Sequence, residues 1–239
     1  MKMIGFDRRI RLEWLDEVAF YYYKTRESKA CADYMYEYLA EEMPGHRTRR
    51  NIITIMKRVW TEVPPETEHL RDRGMELLIS SNDRNNRLAV HWGLLMAAYP
   101  FFRDVVEIIG QSLTMQDEVT LANIYRKTVE QWGERSTVIH ALGKLTGSLW
   151  QWGVIEKAKT GIYVAEPKLS LSEASQLWLI ECLIRTSPER EMQLISAITS
   201  AALFPFLINI SKDDFIGRDV FELSRQGLNS DMISVNMSN

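Results

Sequence analysis

The sequence of 239 residues has little cysteine and no long apolar segment, and both features restrict the cellular compartment in which we expect the protein. Its two cysteines, Cys31 and Cys182, have no partners at metal-ligand spacing, which is typical of core residues in a reducing compartment. The longest apolar stretch, 88–102, is interrupted by a histidine and a proline and is too short to span a bilayer. The first residues show no apolar run of the kind found in signal peptides. We therefore expect a cytoplasmic protein that does not enter the membrane.

An excess of positive charge is also missing. Lysine and arginine contribute 29 residues against 32 aspartates and glutamates, so the formal net charge is −3. A chain with this balance does not bind nucleic acid through its overall charge, and any such affinity must come from local basic patches. Hydrophobic residues make up 46% of the chain, which is enough for a sizeable core.

The motifs that mark the common catalytic and cofactor sites are absent as well. There is no glycine-rich phosphate loop, no GxSxG, no HExxH and no CxxC. The four histidines are far apart, at positions 46, 69, 91 and 140. His91 lies in a segment that is apolar nearly all round, so we interpret it as a core histidine. The sequence predicts a protein that is not an enzyme and holds no cofactor or metal ion.

Helical periodicity dominates the chain and predicts a mainly α protein with roughly two-thirds helix and a small β component. We predict two packed halves, a helical domain over residues 1–113 and a second domain over 114–239 that contains a winged-helix-like element. In its last part we predict a helix from Pro188, a strand over 203–210, a short helix ended by Gly227 and a final strand over 231–235.

The stretch 118–166 is the most informative part of the chain. An amphipathic helical pattern runs from residue 118 to Gly133, and a second helix over 136–152 follows after a short break and ends at Gly153. The period then changes to strand, tight turn and strand, with Gly161 at the turn. This order of helix, turn, helix and two-stranded wing is that of a winged helix.

The second of these helices has a polar outer face that predicts a contact with DNA. In a winged helix it lies against the major groove, so its outward side chains should face DNA. These residues are Ser136, Thr137, His140, Lys144 and Gln151, with Ser136 or Thr137 as the expected cap. Gly143 and Gly147 also face outward, and they serve either the close approach of a phosphate backbone or the packing of another helix of the same protein.

The wing supplies two further cations and one aromatic side chain. Lys157 and Lys159 at its tip should touch phosphate beside the groove. Tyr163 on the wing and Trp150 on the preceding helix are expected to face outward, where they would serve as anchors for a partner protein.

A second basic patch lies in the segment 45–60, which contains five basic residues and no acid. Arg47, Arg49 and Arg50 gather at its N-terminal end, where they could meet phosphate beside the free amides of the helix. The alternative is a solvated face that pairs with the acidic stretch 62–68 just downstream.

Four stretches of the chain resemble one known family. They are HRTRRNIITIMKRVW, RLAVHWGLLMAAYPFFRDVVEII, STVIHALGKLTGSLWQWGVIE and DVFELSRQGLNSDMISV, and together they look like the BrxA proteins of BREX phage-defence systems. The resemblance implies a non-enzymatic helical protein with a NusB-like N-terminal half and a winged-helix-like part. It also implies binding to double-stranded DNA and a role in phage defence together with other proteins of the system.

Three functions therefore remain open. The first is DNA binding through the winged helix and the basic patches. The second is that of an adaptor, because winged helices also mediate contacts between proteins. The third is RNA binding in the manner of NusB, which would make the arginine-rich helix the centre of the site in place of the wing.

Overall fold

A computed structural model describes residues 4–226 and 230–236. Helix makes up 61% of the chain, which confirms the prediction of a mainly α protein with a small β component. Among these residues no helix has the length and apolar character that crossing a membrane requires. The ten α-helices of the described part are α1 Leu12–Thr25, α2 Ser28–Tyr38, α3 His46–Trp60, α4 Glu68–Ser80, α5 Arg84–Ala98, α6 Pro100–Met115, α7 Leu121–Trp132, α8 Ser136–Gln151, α9 Glu173–Thr186 and α10 Leu194–Ile198.

Short strands form three small sheets in the same residues. The strands are β1 Glu118–Thr120, β2 Ile155–Lys159, β3 Ile162–Ala165, β4 Leu169–Ser170, β5 Glu191–Gln193, β6 Phe206–Leu207, β7 Phe221–Gln226 and β8 Ser230–Val235. The first sheet has the antiparallel order β1-β3-β2, and the third has the antiparallel order β5-β8-β7. Between them, β4 and β6 form a parallel pair.

The core is centred on α5, which is buried on nearly every side as its apolar composition predicts. Trp92 in this helix makes edge-to-face ring contacts with Phe102 of α6 and with Phe206. Its indole N–H donates to the carbonyl of Ala202 at 2.9 Å. Residues from both sides of position 113 therefore contribute to one continuous hydrophobic core.

Helix α9 packs against α4 and α5 where two glycines leave room for Trp178. A β-carbon at Gly93 would lie 2.5 Å from the Trp178 ring, and one at Gly74 would lie 2.7 Å from it. The indole N–H of Trp178 donates to the carbonyl of Leu70 at 3.2 Å. This one side chain therefore joins the C-terminal part of the chain to two helices of the N-terminal part.

The predicted core histidine is confirmed, since His91 is fully buried. Its Nε2 lies 2.9 Å from Oδ1 of Asp16 on α1, and the indole N–H of Trp60 on α3 donates to its Nδ1 at 3.2 Å. Because an indole can only donate, Nδ1 carries no proton and Nε2–H donates to Asp16. Burial acts to raise the pKa of Asp16, but the hydrogen bond from His91 and the charge of Arg87 outweigh it and hold that pKa below its usual value.

Of the two helices predicted for the C-terminal part, the one from Pro188 is helical only in its second half and the one over 215–227 is wrong. The segment after Pro188 forms a turn and then β5 before the short α10, because Met192 pairs with Ile233 of β8. The segment 215–227 contains β7, in which half-buried Phe221 and Leu223 alternate with exposed residues, as expected of a strand with one covered face.

The other predictions for this part hold only in portions of their ranges. Of the predicted strand 203–210, only β6 is extended and paired. The final strand over 231–235 is confirmed as part of β8. Gly227, the predicted end of a helix, lies outside the described residues.

Candidate nucleic-acid interface

Helices α6, α7 and α8 are joined to the first sheet by β1, which the sequence pattern did not reveal. A helix is predicted from residue 118, but β1 pairs there with β3, and α7 begins only at Leu121. The hydroxyl of Thr120 accepts from the N–H of Asn123 at 3.1 Å and caps α7. The N–H of Leu121 donates to the carbonyl of Gly161 at 2.8 Å, so the start of α7 is held against the wing, which consists of β2, β3 and their turn.

The outer face of α8 carries the residues predicted to face DNA. All of them are at least partly exposed: Ser136, Thr137, His140, Lys144 and Gln151. Neither Ser136 nor Thr137 caps the helix as predicted. The cap position is Arg135, which within the described chain makes no side-chain cap hydrogen bond. The amides of Val138 and Ile139 donate to the carbonyl of Arg135, so those of Ser136 and Thr137 are the ones that could meet an anion.

The two glycines of α8 have different surroundings. A β-carbon at Gly147 would lie 2.5 Å from Nε of Arg9, so this glycine makes room for the same chain, but for its non-helical N-terminal segment and not for another helix as the packing alternative expects. Around Gly143 no atom of the described residues, apart from its own helix backbone and chain neighbours, lies within 4 Å of that position. Packing within the chain therefore does not require a glycine at 143.

Arg9 is a cation beside the outer face of α8 that the sequence interpretation missed. The N–H of Ile10 donates to the hydroxyl of Ser148 at 2.9 Å, and the indole N–H of Trp152 donates to the carbonyl of Ile10 at 2.9 Å. These bonds hold the N-terminal segment along α8 and bring Arg9 onto Gly147. The basic run RRIR at 8–11 was visible in the sequence, but spacing cannot show a contact between residues so far apart in the chain.

The two lysines of the wing are exposed at its tip as predicted, but they lie on opposite faces of it. Lys157 pairs with Tyr163 and Lys159 pairs with Ile162, because the register shifts between the two lysines. Paired residues share a face and successive residues alternate, so the two side chains point in opposite directions. Lys157 shares the face of Tyr163, whose hydroxyl lies 3.5 Å from Oγ1 of Thr146 on α8.

The outer face of the wing sheet carries two carboxylates and Lys159, so it is acidic on balance. Glu118 and Glu156 both pair with Val164, so the two carboxylates flank this residue on the face away from the core. Tyr163 lies on the opposite face with Val119 and is buried, so the prediction that it is an exposed anchor is wrong. Because carboxylates repel phosphate, an anion would approach the wing from the side of α8 and Lys157.

At the start of α3, Arg47 and Arg50 are exposed as predicted, but Arg49 is not. Only 6% of Arg49 is exposed, and its guanidinium carbon lies 4.0 Å from the centre of the Tyr36 ring. Its Nη1 donates to the carbonyl of Tyr36 at 2.9 Å. Arg49 stands four residues before Ile53 on the buried face of α3, so it joins α2 to α3 and is not presented to phosphate.

The other end of α3 fits the acidic-pairing alternative. Nζ of Lys57 lies 2.6 Å from a carboxylate oxygen of Glu62, and this hydrogen bond, against a smaller effect of burial, lowers the pKa of Glu62. Nε of Arg58 donates to the carbonyl of Ala98 at 3.1 Å. These two cations are therefore engaged within the protein, and the exposed cations of this helix are at its start.

Side chains with catalytic or metal-binding chemistry are dispersed. In the part of the chain that the structure describes, no three side chains of His, Cys, Asp or Glu are grouped so that they could hold a metal ion. Cys31 and Cys182 are buried and free, and burial raises the pKa of both thiols. Both thiols are therefore protonated and unreactive, as expected of core residues.

Comparison with known proteins gave no match, either to a family model, to a curated protein or to a solved structure. The features that bear on function are the geometry of α8, the wing and the basic side chains around them.

Proposed function

We propose that this protein is a non-enzymatic DNA-binding protein of the bacterial cytoplasm that contacts duplex DNA through a winged helix. The resemblance to the BrxA proteins supports a role in a BREX phage-defence system, with other defence proteins as partners. In this proposal the N-terminal helices form the NusB-like part, and the contact lies on the C-terminal side of position 113.

The observation that carries the proposal is the order of elements around α8. Helices α7 and α8 follow each other across a three-residue break, and α8 leads directly into the wing. The strand β1, which precedes α7, pairs with β3 and gives the sheet order β1-β3-β2. In a helix-turn-helix protein the second helix enters the major groove, and α8 holds that position in this chain.

The side chains on the open side of α8 suit phosphate and groove contacts. Ser136 and Thr137 lie beside amides without a side-chain cap, and Lys144 follows two turns later. Lys157 is exposed on the face of the wing opposite to the one that carries Glu118 and Glu156. This arrangement favours backbone contacts and offers few side chains for reading bases.

We expect weak binding to duplex DNA without strict sequence preference and with roughly three to five counterions released. At a slope of this size, raising the salt from about 20 to about 150 mM should increase the Kd by roughly 10²- to 10⁴-fold. Fluorescence anisotropy with duplex DNA, single-stranded DNA and RNA of one sequence measures this. Absence of duplex binding at about 20 mM salt, where electrostatic contacts are strongest, contradicts the proposal.

The two wing lysines supply a matched control, because they have the same charge and exposure but lie on opposite faces. Lys157→Ala should reduce the salt slope by about one, the amount expected for one lost phosphate contact. Lys159→Ala should change it less. If the two variants behave alike, the wing does not approach DNA by the α8 side. If RNA binds more tightly than the duplex and neither change matters, the arginine-rich helix α3 is the nucleic-acid surface.

Gly143 offers a test that separates binding from folding. Gly143→Ala should raise the free energy of unfolding by about 0.5–1 kcal/mol, because alanine is the better helix former and the space there is open. If DNA approaches α8 closely at this point, the same variant should bind duplex DNA more weakly. Urea denaturation and anisotropy on one preparation measure both effects. A more stable variant with unchanged affinity would show that DNA does not touch α8 at Gly143.

A second candidate function, protein adaptor, is supported by two exposed apolar side chains on α8. Ile139 is 52% exposed and Trp150 is 47% exposed, as predicted for the tryptophan. They are eleven residues apart, close to three helical turns, so they lie on the same side of the helix. If the protein binds no DNA and Trp150→Ala abolishes its binding to a partner protein, this second function is favoured.

A further inference from the structure

The N-terminal segment 7–11 connects the two basic patches of the molecule. At one end, Nδ2 of Asn51 on α3 donates to Oδ2 of Asp7 at 2.7 Å. At the other end, the backbone of Ile10 is bonded to Ser148 and Trp152 at the C-terminal end of α8. The start of α3 and the outer face of α8 are therefore joined by a fixed segment of five residues.

This segment carries cations between the patches. Arg8 lies next to Asp7, with Nη1 3.2 Å from its Oδ2. Arg9 lies across Gly147, one turn of α8 after Lys144. Arg11 is engaged elsewhere, because its Nη1 is 2.9 Å from a carboxylate oxygen of Glu42.

Arg47 lies on the side of α3 that the N-terminal segment contacts. It precedes Asn51 by four residues, so the two side chains are neighbours on one face of the helix, and Asn51 is the residue that contacts Asp7. Arg50 is turned about 100° from Asn51 and lines a separate cavity with Tyr36 and Ile53. Of these two exposed arginines of α3, Arg47 therefore lies on the side of the N-terminal segment and Arg50 does not.

We infer that Arg47, Arg8, Arg9 and Lys144 form one cationic track along which the sugar-phosphate backbone of duplex DNA binds. The inference rests on the proposed function and extends it to residues of α3 and the N-terminal segment. Along the chain, helix rise and extended-chain rise add up to roughly 20–25 Å at most from Arg47 to Lys144, so the track spans up to about six or seven base pairs.

The charge of the track agrees with weak binding. Its four cations are opposed by one acid, Asp7, whose Oδ2 is occupied by Asn51 and Arg8. The net charge of +3 can neutralise few phosphates, which suits the shallow salt slope expected for this protein. A track that crosses both predicted domains also explains how a protein with an overall charge of −3 could hold DNA.

The test uses the full chain and a duplex of about 12 base pairs at low salt. Arg9→Gln and Arg47→Ala should each weaken binding by about 10-fold and lower the salt slope by about one. Glutamine retains most of the side-chain length over Gly147, and thermal melting of each variant checks that the fold is kept. Arg50→Ala is the matched control and should change the affinity by less than about two-fold. Titration to saturation should give one duplex per protein.

The possible results separate the track from the proposed function. If Lys144→Ala and Lys157→Ala weaken binding but Arg9→Gln and Arg47→Ala do not, the track is refuted and the winged-helix proposal stands. If Arg50→Ala weakens binding as much as Arg47→Ala, or two duplexes bind per protein, the track is also refuted, because charge alone or two separate sites then account for binding. If the unmodified protein binds no duplex at about 20 mM salt, both proposals fail.

Discussion

Replacing Trp178 by alanine is expected to lower the free energy of unfolding by about 3–5 kcal/mol. The side chain is almost fully buried, fits against Gly74 and Gly93, and donates a hydrogen bond to the carbonyl of Leu70. The substitution leaves a cavity where α9 meets α4 and α5, and rigid helices cannot close it. Urea denaturation followed by circular dichroism measures the loss. Because the core is continuous, we expect a single cooperative transition.

Trp150→Ala is the matched control, since it removes the same side chain from an exposed position. It should change the free energy of unfolding by no more than about 0.5 kcal/mol. Equal losses in the two variants would contradict the packing of Trp178. Two separate unfolding transitions in the unmodified protein would show that residues 1–113 and 114–239 fold independently, in spite of their shared core.

The helices could be predicted because their signals are local. Gly133 follows the last residue of α7 and Gly153 follows the end of α8, and both glycines have the positive φ that favours this residue. Gly161 likewise has a positive φ at the turn of the wing. Apolar spacing and turn residues within a few positions of each other are sufficient for such elements.

The short strands could not be predicted because their partners are distant in the sequence. β5 has three residues and is specified by β8, where Met192 lies opposite Ile233. β1 also has three residues, and without β3 its sequence fits the first turn of α7 equally well. A period of two cannot be recognised over three residues, so only the fold determines such a strand.

The candidate site was predictable in part for the same reason. The helical period correctly indicated the exposed face of α8, but it could not show that Arg9 covers Gly147. The charge of Arg49 predicts a phosphate contact, whereas its position four residues before Ile53 indicates the buried face of α3, where the structure has it. The shift that separates Lys157 from Lys159 depends on an irregular pairing in the wing, which a strand pattern does not specify.

Arg185→Met is expected to destabilise the protein by about 3–5 kcal/mol, because it leaves a buried carboxylate with too few partners. Glu181 on α9 is fully buried, and one of its oxygens lies 2.9 Å from Nε of Arg185. Its other oxygen lies 2.5 Å from Nη1 of Arg73, a side chain that is partly exposed. Arg185 also donates to the carbonyl of Asn236 at 3.0 Å, so its loss removes one of the hydrogen bonds that hold the end of β8. Thermal and urea unfolding measure the effect.

Replacing both Glu181 and Arg185 should lower the free energy of unfolding less than replacing Arg185 alone. In the double variant Glu181→Leu with Arg185→Met, no carboxylate is left without its buried partner, and apolar side chains of similar volume fill the space. We therefore expect the double variant to be more stable than Arg185→Met alone. Its loss should be smaller than the sum of the losses of Glu181→Leu and Arg185→Met by an interaction free energy of about 1–3 kcal/mol. Arg73→Met should cost less than Arg185→Met, because solvent screens this exposed partner. If the single losses simply add, the ion pair is not coupled, and the cost of Arg185→Met comes from its contact with the end of β8.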